Sequence, residues 1–148
     1  MMTQETLQEI LIEQLSQVET LNELLHIEYQ LLNAGKVDLL RLNEVTEKKQ
    51  YWLTALRHSE QKRITSSEQC GSAPPYQQDT TLATIWQKIE PQIKQLYQRN
   101  RQNGLILKQH MPLNQEQLGF LKKRHSPALY GEHGQTENIV ASGYQVKI

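Results

Sequence analysis

The chain has 148 residues, with 16 Lys+Arg against 16 Asp+Glu, a net charge of zero and one Cys. The charge balance excludes a global field that attracts nucleic acid or anionic lipid, and one Cys excludes an internal disulfide or a cysteine-based zinc site. At 37% hydrophobic and 6% aromatic, rich in Leu and Gln, the chain fits one all-α domain over residues 1–148 with a thin core and amphipathic helices.

The first predicted helix covers about residues 4–33. Leu7, Leu11, Val18, Leu21, Leu25 and Leu32 follow a seven-residue spacing in which Gln14 and Glu28 fill the gaps. Ile10, Leu15, Leu24, Ile27 and Leu31 widen the seam into a stripe that faces more than one neighbour. Thr3 or Thr6 is placed to cap its start. Asn33-Ala34-Gly35 reads as its stop, with Gly supplying a left-handed residue. A helix of ~30 residues is about 45 Å long, which suits a rod.

The second helix is predicted over about 37–68. Leu39, Leu42, Val45, Trp52, Leu53 and Leu56 mark its inner face, and Glu44 with Lys48 forms an i,i+4 pair on the outer one. So short a turn makes the two helices an antiparallel hairpin. The apolar signal fades after Leu56, so residues 57–68 read as a solvated extension. Residues 69–79, with Cys70, Gly71, Pro74 and Pro75, read as a mobile loop. Cys70 has no His or other base beside it in sequence, so an incidental loop Cys is the simpler reading than a reactive thiol.

The third helix is predicted over about 80–123. Leu82, Ile85, Ile89, Ile93, Leu96, Leu107, Met111, Leu118 and Leu121 form its stripe. Pro91 and Pro112 each remove a backbone donor and are expected to kink or break it. Asn100, Asn103 and Gly104 read as a weak point between two apolar halves. The proximal half is expected to dock on the hairpin, and the half from Leu105 onward to be held less firmly.

That distal half carries an excess of apolar residues. Leu105, Ile106 and Leu107 are consecutive and point in three directions, and Met111, Leu113, Leu118, Phe120 and Leu121 continue the excess. Two readings fit: burial by a homodimer partner or broader bundle, or a face that receives an amphipathic helix from another protein. The tail, residues 124–148, is read as flexible. It keeps Leu129 and Tyr130 between Pro127 and Gly131, with no core to enter, as a linear recognition element would.

Little else points to chemistry. The five histidines show no strong metal-ligand spacing, no phosphate-binding or nucleophile motif is present, and the carboxylates read as solvated on helix exteriors. No enzyme, cofactor or metal site is expected. The basic run Lys122-Lys123-Arg124-His125 is explained by a helix C-terminus. Glu5 stands where a signal peptide needs positive charge, and no run approaches the roughly 20 apolar residues of a membrane span. A cytoplasmic protein without membrane insertion is expected.

Three long helices, the Asn100-to-Gly104 step, Leu129-Tyr130-Gly131-Glu132-His133-Gly134-Gln135-Thr136 and a final Val146-Lys147-Ile148 together resemble the FlgN family. These are flagellar type III export chaperones for the hook–filament junction proteins. The layout matches along the whole chain, and the specific part is about the last third. Pro91 and Pro112 depart from the continuous third helix of such families. The resemblance implies a cytosolic, non-enzymatic chaperone that binds the C-terminal helical ends of the hook-associated junction proteins. It implies that the distal third helix holds the client. It also implies that Tyr130, with Leu129 and Gly131 beside it, docks on the cytoplasmic domain of the export gate, with the export ATPase as a further partner. The competing reading is a structural coiled-coil homodimer or a helical adaptor without an export role.

Overall fold

A computed structural model describes residues 6–110. The described chain is all-α: α1 (Leu7–Leu32), α2 (Leu39–Cys70) and α3 (Thr80–His110). The hydroxyl of Thr6 accepts the Glu9 amide at 3.1 Å and caps α1, one of the two predicted caps. The stop of α1 differs from expectation. Among described residues only Gly71 and Tyr76 have positive φ, so Gly35 supplies no left-handed cap. The Asn33 amide and side chain both donate to the Tyr29 carbonyl, at 3.1 and 2.9 Å, and thereby satisfy the last turn without one.

Asp38 caps α2 by accepting the Arg41 amide at 3.1 Å. At its other end Gly71 turns left-handed with φ 67, and the Ser72 amide reaches the Ser67 carbonyl at 3.0 Å. This closure needs glycine's tolerance of positive φ. The α3 start is held by Asp79, whose carboxylate accepts the Thr81 and Leu82 amides. Pro91 lies inside α3 and does not break it, for the helix is anchored on both sides by Ile89 and Ile93, both buried in the main apolar cluster. Pro112 lies outside the described residues.

The polar contacts fix the directions. Glu13 pairs with Lys62, Gln17 with Ser59 and Glu28 with Lys49, so residue numbers on α2 fall as those on α1 rise, and the two are antiparallel. Asn22 meets Gln92 and Arg99, Leu25 meets Asn103 and Leu32 meets His110, so α3 runs parallel to α1. Most of the close backbone approaches between the helices involve α1. The broad stripe read on α1 therefore serves two partners, as its width requires.

The core comes in two parts. The larger joins Leu7, Leu11, Val18, Leu21 and Leu25 to Leu53, Leu56, Trp86, Ile89, Ile93, Leu96 and Tyr97, among others. The smaller gathers Leu32, Leu42 and Leu107, with Leu31, Val37, Leu39 and Ile106 partly buried around them. It sits where α1 turns into α2.

Two sequence expectations fail at the other end of the bundle. Residues 57–68 are no solvated extension, because Ser59, Glu60, Arg63 and Ser67 are buried. Nor is the following loop free: Tyr76 is buried in the main cluster. Its hydroxyl accepts from Arg63 at 2.8 Å and shares a hydrogen with Ser67 at 2.7 Å. Its ring meets Trp86 edge-on at 5.5 Å, and the Arg63 guanidinium lies 5.3 Å from the centre of the Trp86 ring. One aromatic from the loop thus supplies the cover that hydropathy along α2 does not record.

Candidate functional site

The end of the bundle that carries the small cluster also carries the described part of the predicted binding face. Leu105, Ile106 and Leu107 do point in different directions. Leu105 is 55% exposed, Ile106 is partly buried against the cluster, and Leu107, 3% exposed, packs with Leu32 and Leu42. Leu107 is thus taken up by the fold itself. Leu40, on the first turn of α2, is 74% exposed, so a second large apolar side chain lies open on the segments that build this end. Met111, Leu113, Leu118, Phe120, Leu121, Leu129, Tyr130 and Gly131 lie outside the described residues.

The segment after Gly104 is docked as far as it is described. Leu107 is buried, and an imidazole nitrogen of His110 lies 2.9 Å from the Leu32 carbonyl. Leu42 and Leu32 together form the slot that Leu107 enters.

Asn100 and Asn103, expected to be a weak point, instead form a polar layer across all three helices. Lys49 Nζ donates to both carboxylate oxygens of Glu28, at 3.0 and 2.8 Å, and to Asn100 Oδ1 at 3.2 Å. Asn103 Nδ2 donates to Glu28 Oε1 at 2.8 Å and to the Leu25 carbonyl at 2.9 Å. Glu28 and Lys49 are both fully excluded from water. Burial pushes the Lys49 ammonium below its ordinary range, and the attraction and hydrogen bonds of Glu28 oppose that. Glu28 also corrects the expectation that carboxylates sit on helix exteriors. Its signal was present in the sequence as a gap in the α1 heptad, where a polar residue occupies an inward position.

A second buried charge pair lies toward the loop end. Arg63 Nε donates to Glu60. Burial pushes the Glu60 carboxyl above its ordinary range, against the opposing pull of Arg63. Arg63 moves up because Glu60 and Tyr76 together outweigh its own burial. These charges face one another in enclosed, hydrogen-bonded sets, which suits scaffold roles and not acid–base turnover.

Among the described residues no group of three or more His, Cys, Asp or Glu could hold a metal ion. No described helix is long and apolar enough to cross a membrane. Cys70 is a free thiol, exposed at the last residue of α2.

Fold and site together define a class: a long helical bundle with some large apolar side chains left exposed and no catalytic constellation among its described residues. The model of the FlgN protein family matches residues 1–138, and the chain belongs to the FlgN family. It is 43% identical over 144 residues to the flagella synthesis protein FlgN of Proteus mirabilis, covering 97% of this chain and 99% of that one. The FlgN of Yersinia enterocolitica is 34% identical over 147 residues, covering 99% and 100%. That of Escherichia coli K12 is 31% identical over 142 residues, covering 96% and 98%. No solved structure matches the chain. Membership connects the chain to flagellum biogenesis, in a family of flagella synthesis proteins and not of known enzymes.

Proposed function

We propose that this protein is a cytoplasmic export chaperone for the hook-associated junction proteins of the flagellum. It binds their C-terminal helical ends, keeps them from assembling or being degraded early, and delivers them to the type III export gate. One observation carries this reading. The family match continues from the helical body through Leu129, Tyr130 and Gly131 to residue 138, so the tail belongs to what the family shares.

The client side of the proposal is a surface of Leu105 and Ile106 continued by Met111, Leu113, Leu118, Phe120 and Leu121. A client end that is disordered when free loses conformational entropy on binding, and burying an amphipathic face offsets that loss. Leu107 contributes by holding Leu105 and Ile106 in place. Tyr130, with Leu129 and Gly131, contacts the cytoplasmic domain of the gate, and the export ATPase is a further partner.

Calorimetric titration with the C-terminal peptide of a junction protein tests the client side. The wild-type chain is expected to bind with a negative heat-capacity change, and L118D/L121D to lose binding while its helical content is kept. Tyr130→Ala is expected to keep the peptide and lose the gate domain. Absence of peptide binding to the wild-type chain, with a mass that grows with concentration, would replace this reading by the coiled-coil homodimer.

A further inference from the structure

Each of the three helices carries the same inward sequence of apolar, polar, apolar at the same level. On α1 it is Leu25, Glu28, Leu32; on α2, Leu53, Lys49, Leu42; on α3, Leu96 and Tyr97, then Asn100 and Asn103, then Leu107. The coincidence across three helices makes the layer a partition of the core. Among the described residues, the fourteen buried residues of the main cluster lie above it, and below it lie Leu32, Leu42 and Leu107 with their partly buried neighbours, together with Val45 and Thr46 of α2.

We propose that the Glu28–Lys49–Asn100–Asn103 layer divides the bundle into two units that open separately. The smaller unit comprises residues 29–42 and 104–110. It opens and recloses while the main cluster stays intact.

The physical reason lies in what water does when it reaches each kind of surface. Opening the small end brings water to the lower side of the layer. There it meets amide, ammonium and carboxylate groups whose bonds it can replace, so the exchange costs little. Going one step further exposes Leu25, Leu53 and Leu96 to water, and the cost rises with each apolar side chain. An apolar layer at the same place would join the clusters, and opening would then find no stopping point. Among the described residues the closed end is held by the buried side chains of Leu32, Leu42 and Leu107 and by the His110–Leu32 contact at 2.9 Å. The turn between α1 and α2 adds little, since Asn33 to Lys36 are exposed. Buried ion pairs are seldom retained for stability alone, because apolar replacements are often as stable. A stopping point for partial opening is a role that such replacements would not fill.

Native-state amide exchange on the full chain at increasing low denaturant tests this without any client or gate protein, and so stands or falls apart from the chaperone reading. Protection in residues 29–32, 39–42 and 104–110 is expected to be about 100-fold lower than around Val18, Leu56 and Ile93, with a common and shallower denaturant dependence. Equal protection in the two regions would overturn the proposal. So would rapid exchange confined to 104–110 with 29–42 protected like the main cluster, which is simple fraying of a helix end. The variant E28L/K49M/N100L/N103L, which makes the layer apolar, is expected to close the gap at least tenfold. An unchanged gap in a folded variant would assign the partial opening to something other than the layer.

Discussion

Lys49 and Glu28 meet at 2.8 Å with neither side chain reaching water, and their contact joins α1 to α2 at the level where Asn100 and Asn103 enter from α3. Removing one charge leaves the other buried without its counter-ion. Lys49→Met is therefore expected to cost about 3–5 kcal/mol of unfolding free energy in urea denaturation. A loss under about 1 kcal/mol would mean that solvent reaches Glu28 in solution.

Leu105 and Leu107, two residues apart on one helix, are expected to differ sharply. Leu107→Ala removes a buried side chain from a cluster with few members and should cost about 2–4 kcal/mol. Leu105→Ala changes an exposed position and should stay within about 0.5 kcal/mol. Thermal unfolding of both variants, read by circular dichroism at 222 nm, checks the assignment of core and surface within the distal segment.

Tyr76 ties the loop to α2 by its hydroxyl and to α3 by its ring. Tyr76→Phe keeps the ring against Trp86 but leaves Arg63 and Ser67 each short of a partner, a loss of about 1–3 kcal/mol. Tyr76→Ala removes both contacts. It should also speed proteolytic cleavage between Gly71 and Asp79, while the wild-type loop resists. Equal cleavage rates would show that Tyr76 does not hold the loop.

Glu60 sets a sign for pH. Burial raises its folded-state carboxyl above the ordinary value, so the folded protein holds this proton more tightly than the unfolded chain does. Its contribution is fully present below the ordinary glutamate range and is lost as pH rises through the folded-state value. Between those two points stability due to this group falls with rising pH. Denaturation midpoints from pH 4 upward should carry that downward component in the wild type, and Glu60→Gln should lack it. A variant that retains the same slope would assign it to another carboxyl.

Pro91 costs α3 one backbone bond without breaking it. On an outward face of the helix, Pro91→Ala restores a donor and should stabilise by about 1–3 kcal/mol. An increase in chemical-denaturation midpoint is the expected result, and a decrease would mean that proline's fixed φ is needed to seat Ile89 and Ile93.

Much of the architecture was readable from spacing. The α1 seam, the short turn and the α3 stripe pointed to three helices, whose described starts lie close to those expected, as do the stops of the first two. The expected end of the third near residue 123 lies outside the described residues, and the width of the α1 stripe implied two neighbours. The inward polar residues were harder to read. Gln14 and Glu28 were visible as gaps in a heptad, but a gap does not say whether a helix bends away there or meets a polar partner. Lys49 and Arg63 carried no signal of burial, because a charged residue on a long helix is ordinarily solvated. Tyr76 was hidden for a related reason: in a segment rich in Gly, Ser and Pro, one aromatic does not announce a core position.

What the sequence determined by itself is local. Apolar residues recurring every three to four positions dictate helices, Thr6, Asp38 and Gly71 dictate where they start or stop, and the match over residues 1–138 ties the chain to FlgN. Which residues of those helices become interior was decided only by the tertiary structure. Burial of Glu28 or Lys49 is favourable only once each has the other, and Asn100 and Asn103, within hydrogen-bonding reach. That condition joins residues of three helices that lie more than twenty positions apart in the chain, and periodicity within one helix holds no record of it.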